Sequence, residues 1–518
     1  MRPPWSRLDW VLGGFLVFLG LASRAVLRAD GLTTLDSGLL ATGIVDYDFA
    51  DVRPHPPYYP LTIALARLVA PFVGPLDAIS WLSVLSTAVL AAATFAVARH
   101  FVGRVASTGA SLLVLASPLA LASGTAPLSY ALEGASSAVL ALAALLARQR
   151  PRPARWLALG VLASIAVGIR PSSLLLLAPL VAWGAGMHGR AWAWTGGSAA
   201  AATLTWGVPA VLAGGGLDPF LFGLSAQSRI FILANPVWVG GWAAVQDNTA
   251  HLLGYIRFEA AFLFAVAVVG TVAATAAAPR LRRSGAMPLL AAWMLPALAF
   301  YTLVYAGWPV FPDGYLMALV PAVAVACALL LDAVARSVLD PLVPKAAQAG
   351  GAIVVAAVCV LPLLWLGAWD DALAPQRDAQ AWGTSWDGME AVLPANETAI
   401  LVFYGSPWIM LQHPDYLAWN VQPVSPEPGV WDLQLTASRG LVLEKSILDN
   451  LRDGPDPPHA IPPGIRAIVL FQGHPLDGGV RLVRDGIPTI SVTLPSGAVA
   501  QVVATEGFAT VEELLPQA

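Results

Sequence analysis

The sequence predicts an α-helical polytopic membrane protein with about eleven transmembrane helices and a water-soluble α/β domain at its C-terminal end. Three observations lead there. Of 518 residues, 57% are hydrophobic and 12% charged, with a mean hydropathy of +0.69, whereas a soluble domain carries about twice that charged fraction. Apolar stretches such as 8–26, 193–213, 260–278 and 316–338 each approach or exceed the roughly 18 residues that read as a bilayer crossing. After Trp369 the composition turns polar at Asp370, Asp371, Arg377 and Asp378, and short strand-like runs follow.

The first apolar run follows Arg2 and Arg7 and is succeeded by many more, so it reads as an uncleaved signal anchor whose basic flank stays in the cytoplasm. Further spans are expected near 78–98, 105–122, 132–147, 156–169, 172–185, 193–213, 260–278, 286–305, 316–338 and 350–369. Basic residues collect in cytoplasmic loops. The loops this assignment sends inward hold Arg99 and Arg104, then Arg148, Arg150, Arg152 and Arg155, then Arg280, Arg282 and Arg283, with almost no acid. An odd number of spans places the C-terminus outside. The membrane part is therefore expected over 1–369, its first extracytoplasmic loop over 27–77, and an extracytoplasmic α/β domain over 370–518. The spans at 156–169 and 172–185 are short and parted by Arg170 and Pro171. If both stop short of a full crossing, Arg170 lines a cavity open to the outer side.

In the C-terminal part, residues 399–404 and 467–471 read as buried strands, 442–451 has helical periodicity, and 481–504 reads as a hairpin turning near Pro495, Ser496 and Gly497. It holds no glycine-rich phosphate loop, no HExxH and no GxSxG. The net charge of −4 and pI near 6.0 offer no basic surface, which argues against a nucleic-acid partner. Cys327 and Cys359 fall in apolar stretches and read as small core residues, so no disulfide framework or cysteine metal site is expected.

The first outer loop is the most informative segment. It gathers Asp36, Asp46, Asp48, Asp51, Arg53, His55, Tyr58 and Tyr59 between two membrane elements. The plain reading is a solvated loop whose acids keep it outside. Two details favour function. Residues 35–44 place apolar side chains at helical spacing, so they should form an amphipathic helix on the membrane surface with Asp36 at its start. Residues 53–60 then form a proline-set turn feeding an apolar helix over 61–70.

The run over 35–68 resembles the first outer loop of the GT-C membrane glycosyltransferases, especially the bacterial branch related to protein O-mannosyltransferases and lipid A aminoarabinose transferase. Asp36 matches the family's acidic position, and His55, Pro56, Pro57, Tyr58, Tyr59 and Pro60 match its turn, while Ser37 stands where a Glu usually follows the Asp. Fainter echoes are Ser117 and Pro118 with Tyr130 and Glu133, the segment 160–171 with Arg170 and Pro171, and Gly314 with Tyr315, where Gly314 replaces an Arg. The resemblance covers the chain to about residue 369.

It implies sugar transfer from a polyprenyl-phosphate-linked donor to a glycan, lipid or protein acceptor on the outer face of the bilayer. Inverting transfer needs a general base for the acceptor hydroxyl, and a partly desolvated carboxylate at the membrane suits that task, with Asp36 as the candidate. The leaving phosphate needs cationic or metal stabilisation, for which Arg170, Arg229 and Arg257 are candidates in that order, with snorkelling to the interface as the alternative for each. His55, with Asp36 or Asp51, either holds a divalent cation or is a packed hydrogen-bonding residue of its turn. Tyr58, Tyr130, Glu133 and Tyr315 complete the expected substrate-binding set. Tyr130 and Glu133, three apart, share a helical face. Trp238 and Trp242 in the loop 214–259 read as an interfacial belt or as a carbohydrate or lipid platform. Two other functions compete: a transporter or flippase, which should show internal repeats and ionisable residues at mid-membrane, and a GT-C fold that has lost catalysis, which Ser37 and Gly314 keep open.

Overall fold

The structure, a computed structural model, describes residues 5–233, 236–258, 285–304, 314–334, 366–403, 411–427, 430–439, 442–443, 458–471 and 482–515. The first helix, α1 (Arg7–Leu27), starts at Ser6, whose hydroxyl accepts from the Asp9 backbone N–H while the Asp9 carboxylate accepts from the Ser6 N–H. That reciprocal cap satisfies two donors the helix would otherwise leave open. After it come α2 (Leu35–Val45), α3 (Pro60–Val73), α4 (Pro75–Phe101), α5 (Arg104–Ala116), α6 (Pro118–Thr125), α7 (Tyr130–Gln149), α8 (Pro153–Ile169), α9 (Ser173–Ala185), α10 (Gly189–Ala213), α11 (Leu217–Leu233) and α12 (Val237–Phe258). A helix α13 (Ala286–Leu303), a 3-10 turn (Gly314–Ala318), α14 (Val320–Val334) and α15 (Leu366–Thr384) complete the helical part.

Among the described residues, α1, α4, α7 and α13 are each long and apolar enough to cross a membrane, and six spans result if each of two bent pairs counts as one. The about eleven spans expected on length are not reached there, because 260–278 and most of 350–369 lie outside the described residues and several helices are short. The stretch 105–122 is two helices, α5 and α6, bent by 61°. Pro118 begins the second one, where it lacks the N–H that would continue α5, and the Ser117 hydroxyl caps the Ala120 N–H instead. A second bend, of 96°, turns the chain from α10 into α11. Helices α8, of 17 residues, and α9, of 13, are parted by residues 170–172, as the sequence led one to expect. Helices α4 and α7 form the inner seam, where Leu90, Ala93, Val97, Ala138 and Ala141 are buried together. Helix α1 instead shows Trp10, Val11, Phe15 and Phe18 to its surroundings. Cys327 is buried and free, and Cys359 lies outside the described residues.

The C-terminal residues build one seven-stranded sheet in the order β4-β3-β2-β1-β5-β7-β6. Its strands are β1 (Thr398–Phe403), β2 (Leu417–Glu427), β3 (Val430–Arg439), β4 (Val442–Leu443), β5 (Ala467–Phe471), β6 (Ile490–Thr493) and β7 (Val499–Ala504). Central β1 runs parallel to both neighbours, with Ile400 opposite Ala418 and Val469, and the outer pairs are antiparallel. Alternation along β1 sends Ala399 and Leu401 to one core and Ile400 and Val402 to another. The second core also takes in Leu32 and Ala41 of the first loop, with Leu76 of α4 packed beside them.

The expected strands at 399–404 and 467–471 are β1 and β5, and the expected hairpin is β6 and β7, turning through Gly497 at φ 87°. The helical periodicity at 442–451 misled in part: Val442 and Leu443 are strand β4, and the rest lies outside the described residues. The β2–β3 hairpin was not foreseen; β2 carries Pro423 and Pro426, residues that a central strand normally excludes.

Candidate functional site

The site begins with how α2 is held. Thr34 caps its N-terminus by accepting from the Ser37 N–H at 3.0 Å, and the Ser37 hydroxyl accepts from the Thr34 and Thr33 N–H groups at 2.9 and 3.0 Å. Ser37, fully buried, is therefore the fourth-residue partner of a capping box. At the other end the Arg67 guanidinium donates to the carbonyls of Ile44 (2.8 Å) and Gly43 (3.2 Å), covering acceptors that the last turn leaves open. Gly43 is required by close approach: a Cβ there would meet the Pro54 ring at 2.7 Å. The helix expected to be amphipathic is buried against the protein on two sides, with Leu40 and Ile44 packed among Tyr47, Phe49, Tyr58 and Ile63, and Ala41 packed in the core beneath the C-terminal sheet.

The turn that follows is tied down as firmly. Arg53 donates to Asp46 at 2.6 Å and to Asp51, and the Asp48 carboxylate accepts from the Ala50 N–H at 2.8 Å. Arg53–Pro54 and Pro56–Pro57 are cis, and Tyr58 and Tyr59 sit at φ 71° and 43°, a left-handed region that costs a non-glycine residue about 1 kcal/mol or more. Non-glycine residues persist there when their surroundings over-determine them. Tyr58 is one such case, with its ring against Phe49 and its hydroxyl donating to the Pro219 carbonyl at 3.2 Å.

Three of the four loop acids are thus consumed in shaping the turn. Asp36 is not. Its side chain is 42% exposed, it lies in the first turn of α2 where the helix dipole favours negative charge, and the nearest side-chain nitrogen recorded for it among the described residues is His55 Nε2, at 3.8 Å from Oδ2. His55 Nε2 also meets the Tyr59 hydroxyl at 3.0 Å, and its Nδ1 is buried with no hydrogen-bond partner among the described residues. Burial pushes the His55 pKa down, the Asp36 carboxylate pulls it part of the way back, and the Arg170 charge adds a still smaller push down, so the imidazole is neutral at physiological pH.

Opposite His55 stands Arg170, the residue between α8 and α9. Its Nε lies 3.3 Å from Glu133 Oε2, and its Nη1 donates to the Ser129 hydroxyl at 3.2 Å. Its guanidinium carbon lies 4.1 Å from the centroid of the Tyr130 ring, 5.1 Å from Tyr315 and 5.9 Å from Tyr59. Ser173 donates to the other Glu133 oxygen at 3.2 Å. Gly314 is the second glycine demanded by close approach, because a Cβ would sit 2.3 Å from Tyr130. The room for a larger side chain there is taken by the Tyr130 ring.

Asp36, His55, Tyr130, Glu133, Arg170 and Tyr315 are therefore brought into one continuous cluster from five separate stretches of sequence. Tyr58, expected to bind substrate, is instead fully buried in the aromatic core of the loop. The hydroxyl that reaches the cluster is that of its neighbour Tyr59. Sequence reasoning named Tyr59 only as part of the turn and passed over Ser129 and Ser173; the spacing of Tyr59 four residues after His55 was the available signal. Arg229 and Arg257 lie on α11 and α12, and their side chains are outside the described residues. Trp238 and Trp242 are exposed on either side of a break in α12 at Gly241. Among the described residues no three His, Cys, Asp or Glu side chains converge as metal ligands; Asp36 and His55 offer two.

No family model and no curated protein matches the chain. Its fold, however, has solved counterparts. The structure is similar to that of ArnT, an aminoarabinose transferase, from Cupriavidus metallidurans bound to undecaprenyl phosphate, with a TM-score of 0.55, 13% identity, and coverage of 98% of this chain and 99% of that one. It is also similar to the apo state of the same protein, with a TM-score of 0.54, 14% identity and the same coverage.

Proposed function

We propose that this chain is an integral membrane glycosyltransferase that moves a sugar from a polyprenyl-phosphate-linked donor to an acceptor on the extracytoplasmic face, with inversion and with Asp36 as general base. In the reaction the Asp36 carboxylate takes the proton of the acceptor hydroxyl, and the acceptor oxygen bonds to the anomeric carbon. The bond from that carbon to the phosphate oxygen breaks, and its electron pair leaves with the phosphate. The observation that carries this reading is the division of labour among the loop acids: Asp46 and Asp51 hold Arg53, Asp48 caps a turn, and Asp36 keeps a partly exposed carboxylate that pairs with no arginine among the described residues. The likeness of the whole fold to an ArnT solved with undecaprenyl phosphate supports the donor class. The same reading takes the chain to cross the bilayer about eleven times, with a membrane domain over 1–369, a C-terminal domain over 370–518 on the extracytoplasmic side, and a glycan, lipid or protein as acceptor. A loss of catalysis is not required to explain Ser37 and Gly314, since one completes the cap of α2 and the other makes way for Tyr130.

Asp36→Asn tests the proposal. The change is nearly isosteric, so protein yield should stay at the parent level while transfer from membranes charged with polyprenyl-phosphate sugars falls by about 10² to 10⁴, the usual worth of a general base. Asp46→Asn, which removes one half-exposed partner of Arg53, should keep most of the transfer. Equal effects of the two substitutions would defeat the assignment of the base, and absence of transfer by the parent protein from any such donor would favour a transporter.

A further inference from the structure

Arg170 enters the site with its charge already balanced. Its side chain is 7% exposed and that of Glu133 is 0% exposed. Its Nε faces Glu133, its Nη1 donates to Ser129, and tyrosine rings flank the guanidinium, so two of its three nitrogens are already engaged within the protein. A phosphate ligand has to offer N–H groups to the incoming oxygens. A second set of contacts shows what the residue does hold. The Arg170 backbone N–H donates to Ala166 at the end of α8, and the adjoining Ile169 carbonyl accepts from the buried Thr62 hydroxyl on α3 at 2.9 Å. The tip between α8 and α9 is thus stitched to the helix that the proline turn feeds. From that tip an unbroken series runs from Glu133 to Arg170, to the Tyr59 ring, through the Tyr59 hydroxyl to His55, and to Asp36.

We propose that Arg170 is a positioning residue: paired with Glu133, it fixes Tyr59 and through it the His55 turn against Asp36, and it does not bind the leaving phosphate. The inference rests on the reading of Asp36 as base. It assigns a role to a buried ion pair that a phosphate clamp would leave unexplained. Breaking one half of such a pair destabilises the fold, whereas replacing both halves with apolar side chains of similar size is close to neutral.

The test therefore uses the full chain in lipid nanodiscs with the paired replacement Arg170→Met, Glu133→Leu. Two quantities are read: the dissociation constant for undecaprenyl phosphate, used as probe, and the transfer rate. Loss of positioning alone should lower the rate by roughly 10 to 10², while the probe still binds within about threefold of the parent, a difference of at most about 0.7 kcal/mol. Weakening of the probe by about tenfold or more, equal to about 1.4 kcal/mol, would make Arg170 a phosphate ligand and overturn the inference. An unchanged transfer rate would overturn it as well. Should the paired replacement give no folded protein, Arg170→Gln, Glu133→Gln repeats both readings with hydrogen-bonding side chains. Asp36→Asn is measured alongside. If it transfers at the parent rate the base reading fails, and the two measurements on the paired variant still decide whether Arg170 touches phosphate.

Discussion

Glu133→Gln alone should be among the most destabilising single substitutions in the membrane part of this protein. Glu133 and Arg170 are both buried, and the carboxylate oxygen nearest the guanidinium stands 3.3 Å from Arg170 Nε with no hydrogen-bond partner among the described residues. In the glutamine variant the Ser173 hydroxyl can keep its bond to Oε1. The amide nitrogen then faces the guanidinium, donor against donor, and Arg170 becomes a buried cation without a counter-ion. Breaking a buried pair in this way costs about 3–5 kcal/mol. Arg170→Met alone leaves the opposite charge stranded and should cost a similar amount. The double replacement Arg170→Met, Glu133→Leu strands neither, so it should be more stable than either single variant. The assay is an unfolding titration of the purified chain in mixed micelles, with the apparent free energy compared across the four proteins of the cycle. Additive effects, with the double variant losing the sum of the two single losses, would refute the reasoning, because they would mean that each charge is separately solvated.

Three further outcomes follow from the same geometry. The depressed His55 pKa makes the folded state resist protonation: stability should be flat above the unfolded value of about 6.5, decline as pH falls from there toward the lower folded value, and lose that slope in His55→Gln, all read by pH-dependent unfolding. Tyr59→Phe, which removes the hydroxyl that meets His55, should slow transfer, whereas Tyr58→Phe, which removes only the bond to the Pro219 carbonyl, should cost about 1 kcal/mol of stability and leave the rate near the parent value; the reverse ranking would mean that Tyr58 is the substrate contact. A reporter active only in the cytoplasm, fused after Ala518, should stay dark, and a signal would show that the number of crossings before it is even.

The parts of this molecule that local chemistry specifies were legible in the sequence. Segregated arginines, the apolar runs and the proline turn at His55 each act over a few residues, and so do the edge hairpin and the two central strands β1 and β5. What could not be read was set by packing between distant segments. Helix α2 looks amphipathic in isolation, yet it is buried because the C-terminal core covers Ala41 from a segment more than 300 residues away. Tyr58 and Tyr59 are adjacent and chemically alike, and only the left-handed backbone of the turn decides which one faces the core and which one meets His55. Strand β2 carries two prolines that a local rule reads as a break, and its pairing with β3 overrides them. Arg170 stood out in the sequence at the break between two short helices, but its partner in the ion pair, Glu133, lies 37 positions earlier in the chain and is brought to it only by the packing of α7 against α8 and α9.

The sharing of Leu32 and Ala41 with the core beneath the C-terminal sheet also sets an order of events during synthesis. The helix that carries Asp36 leaves the ribosome near the start of translation, but Trp386, Met389 and Phe471, which close over its rear face, are made some 350 to 430 residues later. At about 5–20 residues per second that is an interval of roughly 20 to 90 s. Through that time the nascent membrane part holds its candidate base on a helix whose seat is unfinished. A chain that stops short of Trp386 would display an apolar face in place of a site. Completion of the last domain is thus the step at which the first loop acquires its final packing.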